Sequence, residues 1–250
     1  MRARKFTQRA PGLQNRSEGG ALATPAPPAR AGSMGVTYND RMPASDLLDS
    51  VLKVTDETLR TLFAPARSAR ALPLPADTVL SEPEKRHIAG LMRVNHAGEI
   101  AAQGLYRGQA LLSRADGTRE LLQRAAREEG DHLAWCEARL AELGSHPSRL
   151  NPIWYLGSFA MGAAAAVFGD EVSLGFVSET ERQVEGHLAS HLERLPAGDA
   201  RSRQILLQMK SDEAGHGKMA RSRGGSELPA PVARLMRSVA SVMTSTAYWL

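Results

Sequence analysis

Two short runs constrain this chain more than any other feature: Arg-Glu-Glu-Gly-Asp-His at 127–132 and Asp-Glu-Ala-Gly-His at 212–216. Each sets a Glu three residues ahead of a His, Glu129 with His132 and Glu213 with His216. On a helix that spacing turns the chain by about 300°, so both side chains leave one face a turn apart. The same faces carry Leu122, Ala125, Cys136 and Leu143 in the first run and Leu206, Met209 and Ala220 in the second, which makes them apolar seams. Acids and imidazoles on a buried seam need partners, because an unpaired buried charge costs on the order of several kcal/mol. A metal centre shared by two helix pairs would supply them.

A Glu-x-x-His pair is weak evidence alone, and Glu84 with His87 forms a third, read as a capping acid with a surface or core histidine. Arrangement raises the other two. Glu99 precedes Glu129 by 30 residues, and their midpoint falls in the turn Arg114-Ala-Asp-Gly117. Glu181 precedes Glu213 by 32 residues, with the midpoint in Pro196-Ala-Gly198. Antiparallel helices folded at those turns bring each lone seam Glu level with a Glu-x-x-His pair, so one helix hairpin occurs twice. Glu99, Glu129, His132, Glu181, Glu213 and His216 then project inward as the ligand set of carboxylate-bridged di-iron or di-manganese bundles. Oxygen and imidazole donors suit iron, with manganese next, and the lack of thiolates argues against a structural zinc. Asp212, just ahead of Glu213, is a better candidate than Asp131 for an outer partner of the site. His96, which with Arg93 flanks Glu99, is another; Tyr106, two turns beyond Glu99, is a candidate too, though a core tyrosine is the safer reading. His187 and His191 read as a solvated pair near a helix end.

Charge is unevenly placed. Six basic residues (Arg2, Arg4, Lys5, Arg9, Arg16 and Arg30) face only Glu18 in residues 1–33, whereas the whole chain sums to +4. The basic character therefore belongs to the tail and gives no reason to expect a nucleic-acid partner. Residues 1–40 read as a disordered basic extension ahead of one domain over 41–250. An upstream extension, with Met34 as the working start, is preferred to a transit peptide because the stretch forms no amphipathic face. Cys136 is the only cysteine, which rules out an internal disulfide.

The periodicity predicts an all-α chain. A short amphipathic helix runs over Ser45–Phe63, and the first hairpin pairs Pro83–Leu112 with Thr118–Leu143, Ser81 and Glu84 supplying a capping box. The second hairpin pairs the helix through Leu174, Val177 and Glu181 with one over Asp199–Arg223. An amphipathic segment over Pro231–Leu250 closes the chain. Between the hairpins, Pro152–Gly169 carries no charge; rich in Ala and Gly, it is read as packed or lying on a membrane surface rather than spanning.

The runs Leu-Met-Arg-Val-Asn-His-Ala-Gly-Glu (91–99), Glu-Glu-Gly-Asp-His-Leu (128–133), the stretch 175–188 and Asp-Glu-Ala-Gly-His (212–216) resemble the demethoxyubiquinone hydroxylase family, in its bacterial form, over about 45–250. The resemblance implies a ferritin-like four-helix bundle with added N-terminal and C-terminal amphipathic helices. It also implies two non-haem iron ions on the six residues named above, and O2-dependent hydroxylation of a polyprenyl-methyl-methoxy-benzoquinol. Electrons would come from the quinol or from NADH. The implied partners are the prenylated substrate, a membrane lipid surface and other members of a ubiquinone-biosynthesis complex. The implied location is the cytoplasmic side of a bacterial membrane, with the matrix side of the mitochondrial inner membrane as the alternative. The competing reading on the same bundle is iron storage or peroxide scavenging.

Overall fold

The computed structural model describes residues 44–250 apart from Asp77, with side chains from Leu48 onward; the extension over 1–40 lies outside the described residues. Seven helices follow in order, with no strand among the described residues: α1 (Ala44–Phe63), α2 (Glu82–Leu112), α3 (Asp116–Glu142), α4 (Asn151–Val167), α5 (Asp170–Arg194), α6 (Ala200–Ser222) and α7 (Ala230–Ala247). The hairpins α2–α3 and α5–α6 form the bundle, α4 joins them, and α1 and α7 are the added terminal helices.

Local chemistry sets the helix ends. Ser81 Oγ accepts from Glu84 N, and Glu84 Oε2 accepts from Ser81 N at 2.8 Å, so both partners of the capping box are made. The first hairpin turn is tighter than expected, because α3 begins at Asp116 rather than Thr118. Asp116 pairs with Arg119 at 2.6 Å in the first turn. Asp170, at the start of α5, accepts from the backbone of Arg114 and Ala115, which fixes the two residues ahead of the helix. At the far end Gly144 takes a φ of 67°, the left-handed conformation that stops α3.

The uncharged segment is a helix, α4, packed along α2. Glycines permit the approach: a Cβ on Gly108 would stand 2.1 Å from Phe159 O, and one on Gly162 the same distance from Leu105 O. The other side of the segment leaves Ile153, Leu156, Val167 and Phe168 exposed. No helix among the described residues is long and apolar enough to cross a membrane.

Two apolar clusters fill the bundle. One gathers Ile88, Leu91, Met92, Cys136, Leu140, Leu188, Ile205, Leu206 and Met209; the other gathers Leu105, Tyr106, Leu122, Ala125, Val177 and Ala220. On each of the four bundle helices the acidic seam residues fall between these two clusters in sequence. The polar site is thereby closed off by apolar packing at both ends. Beyond the first cluster, Arg139 and Asp199 form a buried ion pair at 2.9 Å that ties α3 to the α5–α6 turn.

Candidate metal centre

The bundle gathers all six seam residues, and all six are buried. They form two overlapping groups, Glu99–Glu129–His132–Glu213 and Glu129–Glu181–Glu213–His216, each offering ligand atoms within 4.8 Å of one another. Glu129 and Glu213 belong to both. His132 Nδ1 lies 2.9 Å from Glu129 Oε2, 3.1 Å from Glu213 Oε1 and 3.6 Å from Glu99 Oε2. His216 Nδ1 lies 3.3 Å from both Glu129 Oε1 and Glu213 Oε2. Both imidazoles thus turn Nδ1 inward, while Glu99 and Glu181 complete opposite ends.

Protons balance this cluster. Burial holds the carboxyls of Glu99 and Glu181 well above the usual range, with the charge of Glu213 adding to the effect at Glu181. Burial also opposes ionisation of Glu129, but the neighbouring His132 and His216 outweigh it and hold that carboxyl low. Glu213 is lowered by the same two histidines against burial and the charge of Glu129. Burial likewise opposes charging of the rings, yet their acidic partners hold His132 well above its ordinary value and push His216 up to about 12. The raised carboxyls and the raised imidazoles both favour bound protons at this cluster. The donor set fits a pair of divalent ions, which would take the place of those protons. One atom points the same way: Glu129 Oε1 is buried and accepts no hydrogen bond.

Behind the histidines the partners cross. His132 Nε2 meets Asp212 at 3.0 Å, and His216 Nε2 meets Glu128 at 2.8 Å. Each of these acids immediately precedes the Glu of the opposite motif. Asp212 was marked in the sequence; Glu128 was not, although it occupies the equivalent position of the repeat. Tyr106 is fully buried and its hydroxyl donates to Glu181 Oε1. His96 faces elsewhere: its Nδ1 meets Asn151 on α4 at 3.3 Å, and burial lowers its pKa to about 4. Arg93 turns to the chain end, donating to Tyr248 O, His146 O and Ser145 Oγ. His191 is not solvated as expected: it is buried, its Nδ1 3.0 Å from Asn95 Oδ1 across the α2–α5 contact.

The family model described as ubiquinone biosynthesis protein COQ7 matches residues 86–247, which takes in every residue of this cluster. The chain belongs to the COQ7 family. Proteins named 3-demethoxyubiquinol 3-hydroxylase are similar to it over nearly their whole lengths. The one from Bordetella avium is 58% identical over 81% of this chain and 95% of its own. Those from Nitrosomonas europaea and Cupriavidus taiwanensis are each 56% identical, over 81% and 80% of this chain and 99% of their own. With these bacterial hydroxylases as relatives, the COQ7-family chain is an enzyme.

Two further features surround its centre. A cavity of about 460 Å³ opens between α2, α5 and α7, with Val94, Asn95, Glu99, Val184, His187 and Met243 among its walls. Glu99 belongs to both the cavity wall and the acid cluster. On another side, Asp131 accepts from the backbone of Ala69 and Arg70 and from Ser68 Oγ, which binds the Pro-rich stretch after α1 across α3. Neither feature has a periodic signature in the sequence.

Proposed function

We propose that this COQ7-family chain hydroxylates the ring of a polyprenyl-methyl-methoxy-benzoquinol, 3-demethoxyubiquinol, with O2 at a di-iron centre. The observation that carries the reading is the double cluster sharing Glu129 and Glu213. In this reading Glu99, Glu129, His132, Glu181, Glu213 and His216 would hold the two ions, with Glu129 and Glu213 common to both groups of donors. A bound iron pair supplies O2 activation. One oxygen atom enters the ring and the other leaves as water, with two electrons drawn from the quinol or from NADH.

The chain's own residues provide the rest. The quinol ring enters the cavity beside Glu99, against apolar walls that include Val94, Val184 and Met243. Asp212 and Glu128 hold the two imidazoles by Nε2 and so keep Nδ1 directed inward. Tyr106 holds one oxygen of Glu181 and fixes that carboxylate's rotamer.

The prenyl tail of the substrate partitions into lipid, and the chain exposes apolar side chains to match: Leu52 and Phe63 on α1, Ile153 and Leu156 on α4, Leu235 and Val242 on α7. We place it as a peripheral enzyme on the cytoplasmic side of a bacterial membrane. It should float with liposomes; a chain that stays at the bottom of the gradient refutes the placement.

The test of the activity is anaerobic loading of the metal-free chain with Fe(II), then addition of demethoxyubiquinol and O2. The expected result is two irons per chain and a product heavier by one oxygen, with both lost in Glu129→Ala and Glu213→Ala. Two irons per chain without quinol turnover would return the chain to iron storage or peroxide scavenging.

A further inference from the structure

The two ends of the cluster differ in what stands behind their histidines. Asp212, behind His132, is 18% exposed and is held in turn by Arg70 Nη2 at 2.6 Å and Gln208 Nε2 at 2.9 Å. Arg70 is itself fixed from several sides. Its Nε stands 3.5 Å from Asp131 Oδ2, its guanidinium lies 4.9 Å over the Trp135 ring, and its carbonyl accepts from Trp135 Nε1 at 3.3 Å. Behind His216, Glu128 is 45% exposed and makes no ion pair with an Arg or Lys among the described residues.

We propose that Arg70 is a positioning residue that makes the His132 end the tighter of the two metal positions. The proposal rests on the di-metal reading above. A carboxylate on the outer nitrogen of a ligand histidine orients the ring and raises its basicity, and such partners are worth about 10–100-fold in affinity. That benefit is largest where the carboxylate cannot swing away. The planar guanidinium spans Asp131 and Asp212 at once, which a point-charge ammonium does not reproduce. An opposing effect exists, since the positive charge of Arg70 draws on Asp212. Arg70 is 44% exposed, so water screens that charge, whereas the restraint on geometry is not screened. Anchoring wins.

The metal-free full-length chain titrated with Co(II), read by visible absorption and calorimetry, tests this without turnover. The unaltered chain should bind in two resolved steps. Arg70→Gln should weaken the tighter step by about tenfold and leave the looser one in place; Arg70→Lys should recover part of the loss. If the far-UV spectrum shows that Arg70→Gln has lost helix, Arg70→Lys carries the test through a smaller shift in the same step. Both steps moving together, or neither moving, overturns the role of Arg70 and leaves the metal centre standing. Absence of Co(II) binding to the unaltered chain overturns the metal centre itself, and this role with it.

Discussion

Glu128 and His216 belong to different hairpins, yet Glu128 Oε2 lies 2.8 Å from His216 Nε2. With Asp212 on His132, this makes each Glu-x-x-His motif depend on the residue one position ahead of the other motif's Glu. Glu128→Gln keeps shape and removes charge. It should weaken one of two Co(II)-binding steps by about 10–100-fold while the helical signal stays unchanged. An unchanged titration would show that the contact has no bearing on metal binding.

Metal uptake should release protons. Burial raises the carboxyls of Glu99 and Glu181, and acidic partners raise the imidazoles of His132 and His216. Ligation needs the deprotonated form of each. Calorimetry in buffers of different ionisation enthalpy should therefore report net proton release as two ions bind near neutral pH. Affinity should fall as pH falls. No net release would contradict the direction of these shifts.

In the metal-free chain the raised His216 has a second consequence. A folded-state value near 12 against an ordinary 6.5 gives stability that is fully present below 6.5 and is lost as pH rises toward 12. Thermal unfolding of the metal-free chain should accordingly begin at lower temperature at pH 9 than at pH 6. Metal-loaded chain, its histidines neutral, should show much less of this trend.

The α2–α4 contact leaves no space for a methyl group. A Cβ at Gly108 would meet the backbone of Phe159 and Ala163, neither of which can rotate aside. Gly108→Ala should cost about 1–3 kcal/mol through overpacking despite the better helix propensity of Ala. Gly117→Ala, where a Cβ meets nothing within 4 Å, serves as the control and should show no such loss in denaturant titration.

Arg139 and Asp199 are both almost completely buried, and Asp199 also caps α6 by accepting from Ser202 N. Asp199→Ala removes one acidic partner of the buried Arg139, which keeps Glu142 at 2.8 Å and Ser202 Oγ at 3.0 Å, and it also removes the cap. It should destabilise by about 1–3 kcal/mol. Chemical unfolding measures this directly, and a loss below about 0.5 kcal/mol would mean that the remaining partners hold the guanidinium without Asp199.

Much of the architecture was legible because it is written locally. The Ser81–Glu84 box, the turn-centred spacing of Glu99 with Glu129 and of Glu181 with Glu213, and the seam periodicity all lie within short stretches of chain. The bundle gathers the six residues those patterns selected. What escaped depends on partners far away in sequence. Glu128 lies one position off the seam, where an acid reads as a solvated side chain; its partner His216 is 88 residues on. Arg70 sits in a Pro-rich stretch without a period, so nothing local links it to Asp212, 142 residues away. His191 looked solvated near the end of α5 because its partner, Asn95, belongs to another helix. The start of α3 moved from Thr118 to Asp116 because Asp170, from α5, fixes the preceding turn.

The crossed carboxylates bear on how the chain is made. During synthesis α2 and α3 emerge well before Asp212, Glu213 and His216, and until those residues follow, His132 lacks the acid that orients it. A ribosome-bound chain bearing only the first hairpin therefore presents Glu99, Glu129 and His132 without the other half of the cluster. The donor set is complete only once α6 has followed, so a metal held by this cluster would meet all its partners only after both hairpins are made.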